Sequence, residues 1–384
     1  MTERGQASRS ASVGKAASNG HAPPNGDVAS LLGRPVVNVD VERFGAYLAG
    51  ASVLVTGAGG SVGGELCAQL VRRGVGRLVL VDQAEVSLVA VARTLTDDLG
   101  FPHVVPVLAD IKSGEGTAAV FEEHRPDVVF HAAAYKHVSL LEASPVEGVA
   151  TNVLGTKNVV EGARRARVAR FVLFSTDKAV EPTSILGRTK AVAEWIVATA
   201  GCEPTAGGYT SVRLANVVDS TGSIVPFFRQ QVARGGPLTI THAAATRYLM
   251  TADEAAKLAI VAGGLADRGA IFWLECGPAV LIVDLAARLT EAASREIGVR
   301  FIGLREGERL HERLFSSRDE IAATPCERVW RSSVRAIDRA WLDGWLSVLA
   351  RHVARASATG VRAALAEMHS ASERQVAEPP AVVA

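Results

Sequence analysis

The sequence predicts an α/β protein built on a doubly wound, mostly parallel sheet. Five short apolar runs rich in β-branched residues alternate with longer segments of helical periodicity. Strands that are apolar along their whole length need cover on both faces, which helical connections provide. The second observation is a glycine-rich turn directly after the first run, where a strand would pass into a helix. Together they favour a parallel sheet whose first turn carries a binding site.

The predicted elements follow in order along the chain. Short runs of Val, Leu, Ile and Phe predict strands at 53–56, 77–81, 103–108, 127–131 and 171–174. Longer stretches with apolar residues three and four apart predict helices at 65–73, 85–99, 116–123, 146–165 and 184–199. The alternation of the two types indicates a parallel sheet covered by helices on each side, the doubly wound arrangement.

After about residue 216 the alternation of predicted strands and helices becomes less regular, and we expect a smaller C-terminal α/β domain that binds a substrate. Its predicted helices lie at 224–233, 253–262, 282–292, 306–315 and 336–354, and its strands at 237–240 and 270–273. The expected organisation is a disordered tail (1–30), a linker and lead-in helix (31–50), a nucleotide-binding domain (51–215), the substrate domain interleaved with elements of the first (216–355), and a helix end with a frayed tail (356–384).

The composition of the chain limits the kinds of molecule that it is expected to bind. The chain has 384 residues, with 41 basic side chains against 40 acidic ones, which gives no general attraction for nucleic acid or an anionic membrane. Cys67, Cys202, Cys276 and Cys326 lie far apart, which argues against a zinc site or a disulfide framework, so we expect no metal. The N-terminus lacks the apolar core of a signal peptide, and no run approaches the roughly 18 apolar residues of a membrane span. We therefore expect a soluble, cytoplasmic protein with a small-molecule partner.

The turn after the first strand indicates a dinucleotide site. Gly57, Gly60 and Gly63 suit a tight turn, close approach of backbone N–H groups to a pyrophosphate, and a helix N-terminus that faces the anion. Asp82 closes the second strand, where a carboxylate can bind both ribose hydroxyls and would repel the 2′-phosphate of NADP, so the predicted cofactor is NAD. Asp110, after the third strand, could bind the adenine amino group or cap a turn.

A second chemical set lies in residues 175–190. A hydroxyl, a carboxylate and an amine stand side by side at Thr176, Asp177 and Lys178, directly after the fifth strand. Lys190 follows on the next predicted helix, and Leu186 lies one turn before it on the same face. The set has the composition of an oxidoreductase active site.

These segments, taken together, resemble a known family. The glycine turn, the stretches 130–138 (FHAAAYKHV), 151–156 (TNVLGT) and 175–179 (STDKA), and the motifs 246–251 (TRYLMT) and 303–308 (GLREGE) are similar to extended short-chain dehydrogenase/reductases of Rossmann type. The group they resemble most is the UDP-N-acetylglucosamine 4,6-dehydratases of polysaccharide and glycan biosynthesis, over residues 31 to 315. Many relatives carry an N-terminal membrane portion, and this chain looks like a form without it.

The resemblance implies site residues. Thr176, Asp177, Lys178 and Lys190 would surround the sugar and the nicotinamide as catalytic residues, and the substrate, a UDP-sugar, would be bound by Lys136, Asn216, Ser223, Arg247, Arg305 and Glu308. Arg247 and Arg305 would neutralise the diphosphate, and Glu308 would bind a uridine ribose hydroxyl. The cofactor would contact Gly57, Gly59, Gly60, Ser61, Val62, Gly63, Asp82, Gln83, Asp110, Ile111, Ala132, Ala133, Ala134 and Lys190. A homo-oligomer, either a dimer or a hexamer, is also expected.

In the implied reaction, NAD⁺ removes hydride from C4, water leaves across C5 and C6, and the hydride returns to C6. We assign Asp177 as the acid for the C6 hydroxyl, Lys178 as the C5 base and Thr176 as a donor to the C4 oxygen. Most members of the wider superfamily have a tyrosine where this chain has Leu186, so another group must accept the C4 proton. Lys178, Lys190 through a water, and Lys136 are the candidates that the sequence leaves open.

Three other functions remain compatible with the sequence. The same scaffold supports epimerisation at C4, or elimination across C5 and C6 without hydride return. A pseudoenzyme that binds NAD and a nucleotide without turnover is the non-catalytic alternative, and Leu186 is its main support. The retained Thr-Asp-Lys set with Lys190 argues against it, because a pure binder has no chemical need for these residues.

Overall fold

The computed structural model describes residues 25–203, 207–291, 296–317, 319–332 and 337–375. Most of the predicted N-terminal tail and the last nine residues lie outside these ranges. The strands are β1 Ser52–Thr56, β2 Arg77–Asp82, β3 Val104–Leu108, β4 Val128–His131, β5 Arg170–Thr176, β6 Gly208–Leu214, β7 Asn216–Val217, β8 Leu238–Ile240, β9 Thr246–Arg247, β10 Leu249–Met250, β11 Ile271–Leu274, β12 Val280–Leu281, β13 Val299–Phe301, β14 Ile321–Ala323 and β15 Val329–Ser332.

The helices lie between these strands. They are α1 Asn25–Leu32, α2 Val41–Phe44, α3 Ser61–Arg72, α4 Glu85–Arg93, α5 Gly114–His124, α6 Val138–Ala143, α7 Pro145–Val149, α8 Thr156–Arg165, α9 Ile185–Gly201, α10 Ile224–Ala233, α11 Ala252–Leu265, α12 Ile282–Thr290, α13 Arg339–Ala354 and α14 Ala358–Gln375. Short 3₁₀ turns occur at Ala46–Leu48 and Asp177–Ala179. Two π-helical turns, Thr94–Asp98 and Ala150–Gly155, interrupt the helices predicted at 85–99 and 146–165.

Nine strands form the central sheet, in the order β14-β15-β11-β6-β5-β4-β1-β2-β3. The strands from β3 to β11 pair in parallel, and β15 and β14 add an antiparallel edge. The order reverses between β1 and β4, so the carboxyl ends of these strands flank a crevice, which is where ligands bind in open α/β sheets. The predicted doubly wound fold is confirmed.

Alternation along each strand sends side chains into two separate cores. Val53 and Val55 of β1 pack into one core, which also contains buried residues of α3 and α11, whereas Leu54 packs into the other, with residues of α5, α8 and α9. Both sets are almost completely buried. The parallel strands therefore need apolar residues at nearly every position, as the sequence shows.

Much of the chain after about residue 216 forms a smaller body with its own apolar core. Three two-stranded pairings, β7 with β10, β8 with β13 and β9 with β12, combine with α10 and α12. Val225 and Phe228 of α10 pack with Leu285 of α12 in this core. The same stretch also contains β11, β14 and β15, which join the main sheet, and α11, which packs against α3 and β6.

Two predictions for the second half and the N-terminal end of the chain were wrong. Helix α1 begins at Asn25, inside the predicted disordered tail, and its Leu31 and Leu32 are buried in the smaller core. The segment 306–315 is not a helix, because its backbone pairs with β9. The Leu310 carbonyl accepts a hydrogen bond from Thr246 N at 3.0 Å. Within 356–384, where a helix end and a frayed tail are predicted, α14 packs against α13 and α9, and the residues after Gln375 lie outside the described ranges. Within the described ranges, no helix is long and apolar enough to cross a membrane.

Candidate active site

The turn between β1 and α3 forms a cradle of closely approaching backbone. Gly57 has a φ of +69°, and a Cβ there would lie 2.6 Å from the Ala133 nitrogen. A Cβ at Gly63 would lie 2.1 Å from the Gly57 carbonyl oxygen. Gly60 is the N-cap of α3 and has no side chain to cap it, so the first N–H groups of the helix can bind an anion. The residues present therefore fit a pyrophosphate.

Asp82 lies at the end of β2, beside this cradle. Its Oδ2 accepts a hydrogen bond from Gly59 N at 2.9 Å, and its Oδ1 accepts one from Ala84 N, also at 2.9 Å. These two bonds fix the carboxylate against the glycine turn and leave each oxygen with a further lone pair. The arrangement suits recognition of a pair of ribose hydroxyls.

A groove of about 160 Å³ runs over the carboxyl ends of β1, β2 and β4. It is lined by Gly57, Gly60, Val81, Asp82, Gln83, Ala109, Asp110, Ile111, Ala132, Ala133, Ala134, Tyr135 and Thr151. Most of the predicted cofactor residues thus meet in one place. Asp110 accepts from Lys112 N at 2.9 Å, so it caps a turn, the alternative that the sequence left open, while still lining the groove.

Three residues of this region were missed at the sequence level. Tyr135 and Thr151 line the groove. Asn152, which is fully buried in a π-helical turn, holds the loop after β4 by accepting from Tyr135 N at 2.9 Å and donating to the Tyr135 carbonyl at 3.0 Å. It also donates to Thr189 Oγ1 on α9 at 3.2 Å. An asparagine within an otherwise apolar predicted helix was the signal that could have identified it.

Thr176, Asp177 and Lys178 form a connected cluster at the end of β5. Thr176 Oγ1 and Lys178 Nζ each donate to Asp177 Oδ1 at 2.9 Å. Lys178 Nζ also donates to Asn216 Oδ1 at 2.9 Å, which brings a predicted substrate residue into the set. Asp177 is fully buried, and its Oδ2 has no hydrogen-bond partner among the described residues. A buried carboxylate oxygen without a partner indicates a place for a ligand donor.

Two more charged residues complete this cluster. Glu312 Oε1 lies 3.4 Å from Lys178 Nζ and 3.9 Å from Arg247 Nε. Sequence reasoning missed Glu312, because the segment 306–315 was interpreted as a helix of the small domain. Arg247 is part of the cluster, but its guanidinium also donates to the carbonyls of Thr246 at 2.7 Å and Leu310 at 3.2 Å.

The two predicted catalytic lysines differ in the direction in which their pKa values are shifted. Burial disfavours the Lys178 ammonium, but the neighbouring carboxylates of Asp177 and Glu312 outweigh burial and raise the pKa of Lys178 above its usual range. Lys190, on α9, is 4% exposed. Burial lowers the pKa of Lys190 from 10.5 to about 8, and Glu194 opposes this only partly. None of the described residues accepts a hydrogen bond from Lys190, so its amine is available to a ligand.

Leu186 lies one turn before Lys190 and is part of the apolar core. It is 4% exposed and belongs to the same core as Leu141, Val149 and Leu173. No titratable group is present at the position, as the sequence predicts.

The remaining predicted substrate residues lie on two loops. Lys136 Nζ donates to Ser220 Oγ at 3.2 Å, and burial lowers the pKa of Lys136. Thr221 N donates to Ser61 Oγ at 2.9 Å, so the loop before α10 lies against the glycine turn. Ser223, in the same loop, has a buried Oγ without a hydrogen-bond partner in the described part of the chain. These contacts bring the predicted cofactor and substrate residues together.

Arg305 and Glu308 lie on the turn that follows β13. Arg305 is exposed, and its backbone N–H donates to Glu308 Oε2 at 3.3 Å. No contact between Arg305 and Arg247 is seen among the described residues. Their joint binding of a diphosphate stays a prediction.

The fold and the site define the class of protein. A sheet of this strand order, a glycine turn after β1 with Asp82 after β2, and a Thr-Asp-Lys set after β5 are those of an extended short-chain dehydrogenase/reductase.

The chain belongs to the polysaccharide biosynthesis protein family, whose profile matches residues 53–333. It is 39% identical over 312 residues to the capsular polysaccharide biosynthesis protein CapD of Staphylococcus aureus, an alignment that covers 80% of this chain and 52% of the relative. A UDP-glucose 4-epimerase of Rickettsia rickettsii is 32% identical over 287 residues, covering 73% of this chain and 82% of that protein. The chain spans about half the length of the first curated relatives that it matches.

Solved structures share the fold. Pen from Bacillus thuringiensis superposes with a TM-score of 0.70 and 25% identity, over 79% of this chain and 98% of that one. The dTDP-glucose 4,6-dehydratase DesIV from Streptomyces venezuelae, a double mutant crystallised with NAD, gives a TM-score of 0.61 at 21% identity, over 78% and 96%. The predicted cofactor, NAD, is thus the one bound in a structural neighbour.

Proposed function

We propose that the protein is an NAD-dependent nucleotide-sugar 4,6-dehydratase that converts UDP-N-acetylglucosamine into a UDP-4-keto-6-deoxy sugar. The observation that carries the proposal is the pairing of Asp177 with Lys178 at 2.9 Å, with a buried Asp177 oxygen left without a partner in the described chain. Elimination of water needs a base at C5 and an acid at C6, and this pair supplies one of each.

The glycine turn would hold the pyrophosphate of NAD, Asp82 the adenine ribose and Lys190 the nicotinamide ribose. NAD bound there would supply a hydride acceptor for C4 and a hydride donor for C6. The chain's own residues supply orientation and proton transfer. Lys190, whose pKa burial lowers to about 8, would accept the C4 proton in its neutral form in place of the missing tyrosine.

The raised pKa of Lys178 determines how the elimination of water across C5 and C6 would begin. Lys178 must lose its proton before it can accept one from C5, and Asp177 Oδ1 lies 2.9 Å from its nitrogen. Transfer of one proton from Lys178 to Asp177 produces the neutral amine that removes the C5 proton and the carboxylic acid that protonates the departing C6 hydroxyl. Both catalytic forms arise from a single step, and no outside base is needed.

Substrate recognition would draw on both loops. Arg247 and Arg305 would bind the diphosphate, because guanidinium groups donate paired hydrogen bonds to phosphate oxygens. Glu308 would accept from a uridine ribose hydroxyl. Asn216, Ser223 and Lys136, which lie close to the cluster or to the glycine turn, would contact the sugar end.

The decisive experiment follows the product by mass. The protein with NAD and UDP-N-acetylglucosamine should yield a product lighter by one water, and deuterium placed at C4 should appear at C6. Deuterium that remains at C4 in a product lighter by one water would indicate the 5,6-elimination instead. Asp177→Asn should abolish the product, whereas Asn at the exposed Asp98 should leave turnover unchanged.

Epimerisation at C4 is the second candidate, because a UDP-glucose 4-epimerase is among the relatives above 30% identity. It predicts a product of unchanged mass that differs from the substrate in the NMR coupling at C4. Recovery of unaltered substrate from a preparation that binds NAD and the UDP-sugar would favour the pseudoenzyme.

A further inference from the structure

Glu312 is a buried carboxylate that the proposed reaction does not yet use. Its side chain is 3% exposed, and its Oε2 has no hydrogen-bond partner among the described residues. Its Oε1 lies 3.4 Å from Lys178 Nζ. A carboxylate is costly to bury unless it is paired with a positive charge. The Lys178 ammonium supplies that charge for Glu312.

The charges around Lys178 come from three parts of the chain. Asp177 follows β5, Glu312 lies in the extended segment after β13, and Arg247 belongs to β9. Asn216 contributes a neutral amide oxygen. Asp177 and Glu312 stabilise the ammonium, and Arg247 opposes them. The smaller body therefore supplies the second of the two carboxylates that hold the lysine.

We propose that Glu312 is a positioning residue of the catalytic centre: it holds the protonated Lys178 jointly with Asp177 and thereby sets the pH at which Lys178 becomes a free amine. The role of Lys178 as the C5 base rests on the proposed function, whereas the coupling between Glu312 and Lys178 does not. With two carboxylates on one ammonium, Asp177 can take a proton from Lys178 while Glu312 keeps the lysine nitrogen in place.

The test measures Lys178 directly, without substrate. Competitive labelling with acetic anhydride across a pH series, read by peptide mass spectrometry, gives the titration midpoint of Lys178, whose side chain is 18% exposed. Glu312→Gln keeps the shape and removes the charge, so the midpoint should fall by about one pH unit or more. Glu306→Gln, at an exposed carboxylate of the same loop, should leave it unchanged, and Lys190 serves as an internal reference.

An unchanged Lys178 midpoint in folded Glu312→Gln protein would overturn the proposal. Glu312→Asp keeps the charge, and its midpoint should lie between those of the wild type and Glu312→Gln. If Glu312→Gln does not fold, Lys178→Met gives the reciprocal measurement, in which the Glu312 carboxyl should titrate at higher pH by ¹³C NMR; no change there also overturns it.

Activity separates this inference from the proposed function. In an active preparation, Glu312→Gln should move the falling limb of the kcat profile, at which the Lys178–Asp177 pair loses its shared proton, to lower pH by about as much as the labelling midpoint. A labelling shift in a protein that performs no dehydration would leave the coupling standing and refute the dehydratase.

Discussion

Replacing Asp82 with Asn tests how the site would select NAD. The wild-type carboxylate accepts from Gly59 N and Ala84 N, both at 2.9 Å, and retains lone pairs for two ribose hydroxyls. An asparagine has one oxygen and one amino group, so one of the two backbone donors would face another donor. The substitution removes the charge and disturbs the glycine turn, with little change in volume.

The expected loss follows from the strength of charge-assisted hydrogen bonds. A hydrogen bond to a charged group contributes about 1.5–3 kcal/mol, so NAD should bind roughly 10- to 150-fold more weakly. NADP binding should weaken less or improve, because the carboxylate no longer repels the 2′-phosphate. The ratio of the two dissociation constants should therefore move toward NADP by about tenfold.

Isothermal titration of the cofactor-free protein with each nucleotide gives both constants. Asp110→Asn is the matched control: Asp110 lines the same groove but caps the turn at Lys112, so NAD affinity should change by less than about threefold. An Asp82→Asn protein that binds NAD within twofold of the wild type would refute the assignment of Asp82 to the ribose. A large effect at Asp110 would show that it contacts the adenine.

Three further outcomes are expected. Arg34→Met should lower the free energy of unfolding by about 3–5 kcal/mol in chemical denaturation, because the Glu254 side chain, 0% exposed, would lose the ion pair at 2.6 Å that holds residues 34–37. Lys190→Met should weaken NAD binding yet stabilise the cofactor-free protein by about 2–3 kcal/mol at pH 7. The folded pKa of Lys190 is lowered to about 8, so the native ammonium is unfavourable below that pH, and the advantage should vanish as pH rises to 10.5. Leu186→Tyr should destabilise the protein by about 1–3 kcal/mol through overpacking and should not raise kcat; a 100-fold gain in rate would show that the phenol was missing.

The main sheet was predictable because its signals are local. The run 53–55 is buried on both faces of the sheet, so it had to be apolar throughout, and the sequence shows this directly. Gly57 and Asp82 follow consecutive parallel strands, and the carboxyl ends of such strands lie side by side. The groove at these strand ends could therefore be predicted from the sequence.

The catalytic cluster could be predicted only in part, because half of it is assembled over long distances in sequence. Lys178 meets Asp177 through adjacency, but it meets Asn216 and Glu312 through the folding of the smaller body. The apolar spacing of 306–315 resembled a helix, whereas the chain is extended there because Thr246 pairs with its backbone. Tertiary hydrogen bonding overrode the local periodicity, and Glu312 was missed with it.

The two lysines of the site show how one fold can supply different proton chemistry at similar depth. Both Lys178 and Lys190 are removed from water, and burial alone would lower the pKa of each. Lys178 faces two carboxylates and keeps its proton, while Glu194, the acidic neighbour of Lys190, is already engaged by Arg213 in a bidentate pair at 2.9 and 3.1 Å. Lys190 thus remains close to titration near pH 8, and in the proposed reaction Lys178 would become a base only after Asp177 takes its proton. Surroundings that push the pKa values of two lysines apart would suit them to separate steps, so the proposed site would transfer both the C4 and the C5 proton without a tyrosine.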